Sequence, residues 1–299
     1  MKTFDFNTLY FAVEDNTTTS TDVDPAISID HVNRLVSNIN TLTKALGITS
    51  MKSMAAGNMI KRYKTTVTKG GKQAAEGDVI PLTKVERKPL APIELKLTPY
   101  RKLTTAQSIQ KSGRDIALVE TDTALVKEIQ KDVKADFFKM ITAEGGTESA
   151  GGKTLQEAIA QAWGSLSVYF EDKDVTPVFF VNPLDVASYL GTAQITTQTA
   201  FGFQYIENFL GLGTAFISAS VTKGSVYATV SENLNGAYAD QSGDVSDSFD
   251  LTMDESGMVG MTHSRADDRA SIQTLIMTGV VFYPEDATGI VKSAINAGA

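Results

Sequence analysis

Residues 58–88 read NMIKRYKTTVT (58–68), KGGKQAAEGD (69–78) and VIPLTKVERK (79–88), two runs that alternate like strands around a polar, glycine-rich tip. The pattern predicts a long β-hairpin over 58–97. Ten residues per arm, at about 3.3 Å each, project about 30 Å, comparable to the diameter of a small domain. Each strand has one weakly apolar face, and a lone two-stranded hairpin is marginal in water, so contact with a partner is expected to stabilise it. Pro89, Pro92 and Pro99 punctuate its return.

The hairpin sits in the most basic part of the chain. Residues 52–114 hold 14 of the 27 Lys and Arg and 4 of the 35 Asp and Glu, a net charge of +10; the other 236 residues hold 13 and 31, or −18. Such segregation predicts an arm that lies on an acidic surface, and another copy of the same chain offers one.

Composition bounds the rest. With 299 residues, 42% of them hydrophobic, the chain can bury a real core in one large or two medium domains. The net charge of −8 argues against general nucleic-acid or membrane binding. Cysteine is absent, which excludes disulfides and thiolate chemistry. The segment MKTFDFNTLYFAVEDN (1–16) has no signal-peptide core. No stretch approaches the roughly 18 uninterrupted apolar residues of a membrane span, so the protein is expected to stay in the cytosol that makes it.

Residues 1–13 suit an extended segment, and 14–25 are polar and acidic, as in a mobile tether. A helix is predicted from caps at Ser28 or Asp30 to Gly47, with Ile29, Val32, Leu35, Val36, Ile39, Leu42 and Leu46 as a stripe. Nothing adjacent in sequence buries that stripe, which needs the body of the protein or a neighbouring subunit. A short helix over 104–112 ends at Gly113, and the strongest helix follows over 114–143. Its stripe is Leu118, Leu125, Ile129, Val133, Phe137 and Met140 or Ile141. At that length, about 45 Å, it is a spine.

GGTESAGG (145–152) breaks the composition and is expected to be a hinge, through Gly145, Gly146, Gly151 and Gly152. Helix and strand then alternate: a helix 155–170, a buried strand TPVFFV (176–181), a helix opened by Asn182-Pro183 and running to Leu190, and strands near 214–221 and 225–230. Residues 249–293 read as antiparallel strands. The expected fold class is α+β, with an α/β unit inserted into the domain of the spine helix.

Motifs for chemistry fail individually. GGTESAGGKT (145–154) ends like a phosphate loop, but Thr147 stands where that loop needs Gly. Gly211 and Gly213 begin a dinucleotide turn, but Phe216 replaces its third glycine. His31 and His263 lack partners at metal spacing and read as filler. Asp240, Asp244, Asp247, Asp250, Asp254 and Glu255 lack the order of a calcium loop and read as a solvated or partner-facing acidic face. Asp267-Asp268, between Arg265 and Arg269, reads as a surface turn, and Trp163 with Phe137, Phe138, Phe179 and Phe180 as core. No catalytic, cofactor or metal residue is assigned.

The order of parts, with the phrases AAEGDVIPLTKVERKP (74–89), TPVFFVNPLDVASYL (176–190) and GVVFYPEDATGIVKS (279–293), resembles the major capsid proteins of tailed bacteriophages, with their Hong Kong 97-type fold. The resemblance implies an N-terminal arm (1–56), an E-loop hairpin (57–98), a peripheral P-domain (99–149 and 245–299) and an axial A-domain (150–244). It implies an icosahedral head shell of pentamers and hexamers in the virion, assembled in the host bacterial cytoplasm. Each E-loop would lie across a neighbour, through Lys61, Arg62, Lys64, Lys69 and Lys72. Further implied partners are a portal protein and packaged double-stranded DNA, held by confinement because the chain is acidic.

Some members carry a scaffolding domain of about a hundred residues ahead of the E-loop; about 56 precede it here, so a separate scaffolding protein is expected. Others join neighbours by a Lys–Asn bond, but no Asn and buried Glu match Lys69 or Lys72, which read as solvated. Two alternatives remain: an encapsulin-like compartment shell, and a phosphate- or nucleotide-dependent α/β enzyme. If the arm binds acidic neighbours, reversing Lys61, Arg62 and Lys64 to Glu is expected to impair assembly and leave the subunit folded, which light scattering reads directly.

Overall fold

The computed structural model describes residues 20–45, 48, 51–70, 82–144, 146–171, 175–190, 198–200 and 203–296. Residues 1–19, Leu46, Gly47, Lys72 and Gly145 lie outside them, as do the side chains of Ile29 and Leu42. Helix α1 (Ser20–Ala45) starts earlier than its apolar stripe, so Ser28 and Asp30 are interior positions and not caps. The stripe is covered within the subunit: Val32, Leu35, Val36 and Ile39 are all buried in the main core. No neighbour is needed to bury it.

Strand β1 (Met51–Met54) leads to the hairpin, whose base is β2 (Met59–Ile60) paired with β5 (Ile93–Glu94) and whose arm is β3 (Tyr63–Thr68) paired with β4 (Lys84–Pro89). Next comes β6 (Thr98–Thr105), which the charged, proline-bearing sequence TPYRKLTT conceals. Thr105 caps α2 (Ala106–Ser112), accepting from the Ser108 amide, and Gly113 ends it. A π-helical turn, Ile116–Glu120, runs directly into the spine helix α3 (Thr121–Glu144).

The remaining elements are β7 (Thr147–Glu148), α4 (Leu155–Tyr169), β8 (Pro177–Val181), α5 (Pro183–Leu190), β9 (Gln198–Ala200), β10 (Phe203–Phe209), β11 (Gly213–Ile217) and β12 (Ser225–Val230). After them come β13 (Leu234–Ala239), α6 (Asp244–Phe249), β14 (Thr252–Met253), β15 (Val259–Ala266), β16 (Ser271–Thr278), β17 (Val280–Pro284) and β18 (Val291–Ala294).

These strands form a mixed seven-stranded sheet, β7-β18-β12-β8-β11-β10-β9; an antiparallel sheet, β14-β15-β16-β6; and a small sheet, β1-β13-β17. The sheets cut across the partition at 150–244. β18, from the closing strands, enters the sheet of the insertion, and β13 leaves it for the small sheet. Within 249–293, SIQTLIMTGVVFY (271–283), whose length reads as one long strand, is two strands, because the chain changes sheet at Gly279.

β8 explains why the parts do not separate. A strand's side chains alternate between faces: Val178 and Phe180 enter the core of α1 and α3, whereas Phe179 and Val181 enter the second core, under α4. Phe180 meets the spine helix edge-on, 5.5 Å from Phe137 and 5.8 Å from Phe138 between ring centroids, and Phe137 meets Phe282 of β17 at 5.4 Å. Edge-on geometry sets the positive ring edge against a negative face and adds to what burial contributes. Phe180→Ala is expected to cost about 3–5 kcal/mol through the cavity it leaves, measured by urea unfolding of the unassembled subunit.

Candidate assembly interface

The arm is exposed at every residue of β3 and β4 apart from half-buried Glu86. Its register places Lys64 opposite Lys88, Thr66 opposite Glu86 and Thr68 opposite Lys84 on one face. The other face carries Tyr63, Val67, Val85 and Pro89, with the Arg87 guanidinium 4.0 Å from the centre of the Tyr63 ring. Val67 and Val85 face each other and stay 53% and 64% exposed. Like charges directly opposite cost stability in a sheet, and an apolar pair in water contributes little. Local stability does not account for this composition; an acidic surface with an apolar seam would answer both faces.

The root is fixed. Ile60 packs with Ala237 and Tyr283, and Arg62 is buried, donating from Nη1 to the Pro284 carbonyl at 3.2 Å. Arg62 therefore anchors the arm to its own subunit and is not a contact offered to a neighbour; R62E would damage the subunit itself. Lys61, Lys64 and Lys69 are exposed, and the field of Lys64 reaches Asp286 of its own chain. Beside the root a groove of about 610 Å³ is lined by Lys52, Lys61, Arg62, Arg87, Tyr283 and Glu285, predominantly cationic.

The glycine-rich junction is built into the seven-stranded sheet. β7 lies parallel to β18, Gly152 donates to Ala294 O at 2.9 Å, and Asn296 donates back to Gly152 O at 2.8 Å. A Cβ on Gly152 would sit 2.4 Å from the Ala158 nitrogen, and Gly151 has φ +70° with Ala294 O 2.8 Å from where its Cβ would be. Close approach and a left-handed backbone account for these two glycines. Replacing them with Ala would strain the sheet, so that substitution does not isolate a hinge. Gly146 is exposed. Gly213, half of the apparent dinucleotide motif, is explained similarly: its Cβ would lie 2.2 Å from Pro177 O, where β11 runs beside β8.

A second surface lies on α4. Leu155, Ala158, Ile159, Ala162 and Leu166 face the core, but Trp163 is 39% exposed rather than buried, and Val168 is 77% exposed. Glu157 is the helix's sole charged residue, and nothing approaches the open side of Gly164. An uncharged helix face is a place where two acidic chains meet without like-charge cost.

The two histidines are not filler. His263 Nε2 lies 2.9 Å from Asp122 Oδ2, and His31, on α1, is within electrostatic reach of the same carboxylate. Lys102 of β6 holds the other oxygen, Oδ1, at 2.5 Å and also donates to Thr121 Oγ1 and to the Leu118 carbonyl, which accepts the Thr121 amide as well. Asp122 is completely buried near the start of α3, just past the π-helical turn. Burial pushes its carboxyl up, but the hydrogen bonds from His263 and Lys102 outweigh that and hold it below the usual range. Lys102 thus belongs to the interior and not to the arm's available charge.

The cluster resembles no metal site, since a lysine ammonium occupies a ligand's place; no group of three or more metal-ligating side chains occurs among the described residues. Nor is any helix among them long and apolar enough to cross a membrane. Asp267 and Asp268 form the turn between β15 and β16, with Asp268 3.4 Å from Arg269 in solvent. Lys102→Met is expected to destabilise the subunit by about 3–5 kcal/mol, because it strands a buried carboxylate; adding Asp122→Asn should recover much of the loss in urea unfolding.

No protein-family model matches this chain, and no curated protein matches it. Solved structures do. The asymmetric unit of the bacteriophage PhiM1 mature capsid is 10% identical at a TM-score of 0.53, covering 82% of this chain and 85% of that one. The holo-SrpI encapsulin complex from Synechococcus elongatus PCC 7942 is 9% identical at 0.52, covering 82% and 85%. A structure from Mycobacterium phage Che8 is 12% identical at 0.51, covering 80% and 85%. At such identities the likeness is one of architecture, and the chain has the Hong Kong 97-type fold, as the sequence resemblance led us to expect.

Proposed function

We propose that this protein is the major capsid protein of a tailed bacteriophage, self-assembling as pentamers and hexamers into the icosahedral head shell around the genome. The observation that carries this reading is the exposed cationic arm anchored at its root in a subunit of this fold. Its role is to lie across the neighbouring subunit with Lys61, Lys64 and Lys69 outward, residues 57–98 serving as the E-loop. The uncharged face of α4 is a further contact between copies. A separate scaffolding protein and a portal protein complete the assembly, and the DNA is confined more than bound, since a chain of net charge −8 offers it little attraction. The protein acts structurally and performs no catalysis.

A compartment shell of the encapsulin kind is the second reading, favoured by the nearly equal TM-scores of 0.52 and 0.53 to an encapsulin and a phage capsid. Electron microscopy of the purified protein tests the shared premise: closed hollow particles support a shell, whereas a folded monomer at all concentrations overturns it. Nucleic acid or an enzyme inside particles taken from the native source separates the two readings.

The arm's share is testable by reversing Lys61, Lys64 and Lys88 to Glu, which leaves Arg62 in place. Circular dichroism should be unchanged while particles are lost, and wild-type assembly should weaken as salt rises. Normal particles from the triple variant would remove the arm's charge from the account.

A further inference from the structure

Two histidines 232 positions apart converge on one buried carboxylate at the seam where the N-terminal helix docks. His31 is 6% exposed and lies in the same stripe as Val32, Leu35, Val36 and Ile39, so its ring leaves water only when α1 is docked. The charged groups around it come from several elements. The spine helix presents Asp122, β15 presents His263, and β6 reaches the carboxylate with Lys102. From α1 itself come Asp30 and Arg34, and Arg114 and Asp115 line the small cavity beside Asp122 and His263. β14 and β9, also against α1, carry no ionisable side chain.

We propose that this seam is a pH-sensitive latch: protonation of His31 in mildly acidic solution favours the undocked state of α1. The physical reason is charge. The carboxylate of Asp122 already has the Lys102 ammonium at 2.5 Å, and Arg34 adds a positive field, so a further buried cation is poorly compensated. Once α1 lifts, the imidazole is in water and accepts its proton freely.

The sign follows from linkage. Burial holds the His31 imidazole below its ordinary value of 6.5, against the pull of Asp122. The undocked form therefore binds more protons between its own pKa and the lower, docked one. Docking is fully favoured above about pH 6.5 and weakens as pH falls through that window, by at most about tenfold per pH unit for one group. Four buried aliphatic side chains keep α1 docked in most molecules throughout, so the latch changes the frequency of opening and not the resting structure.

Hydrogen exchange on the full-length chain between pH 7.5 and 5, corrected for intrinsic rates, tests this. Opening of residues 31–43 should rise several-fold and by no more than about tenfold per pH unit below 6.5, while amides in β16 change less. His31→Gln and His31→Leu should both abolish the α1-specific rise, so failure of one to fold leaves the other. His263→Gln should retain it. Unchanged α1 protection across the range overturns the proposal, as does a rise that persists in a His31 variant or disappears only with His263. The test needs no particles and stands whether or not the chain forms a shell.

Discussion

The structure depends on one strand being dry on both sides. β8 has no solvent face, so whatever covers Phe179 and whatever covers Phe180 must form together: α4 on one side, the spine helix and α1 on the other. The sheet of the insertion and the body it interrupts share that strand and cannot be folded separately without exposing two fully buried phenylalanines. β18 and β13, each crossing from one unit to the other's sheet, enforce the same unity through backbone pairing. Against this rigid body the arm is the exception, a two-stranded sheet that buries almost nothing.

What was legible in the sequence was whatever is local. The hairpin shows as alternation, α4 as a 3.6-residue period, and β8 with its Asn182-Pro183 turn as a short apolar run with a stop. The early part of α1 is polar, so hydrophobic periodicity is silent there, and β6 is hidden by Pro99, Arg101 and Lys102. The ionic cluster has no local signature, since residues 31, 102, 122 and 263 come from four elements.

The net charge of residues 52–114 overstates the arm for a related reason. Arg62 and Lys102 belong to that sum but are engaged inside the subunit, one on the Pro284 carbonyl and one on Asp122. A long basic side chain in an exposed-looking strand reaches inward as readily as outward, and a sum over sequence cannot tell which. Trp163 misled in the opposite sense: it flanks the buried stripe of α4, and its size suggested the core.

The passage at Gly279 gives the arm a mechanical character. Arg62 ties the root of the hairpin to Pro284 at the end of β17, and β17 continues through Gly279 into β16 with no intervening loop. β16 is zipped along all eight of its residues to β15 on one side and to β6 on the other. A force pulling the arm outward is therefore delivered along the length of a central strand, as shear on two ladders whose hydrogen bonds yield together rather than one at a time. Tension applied at the periphery is carried into a strand held on both sides by paired neighbours.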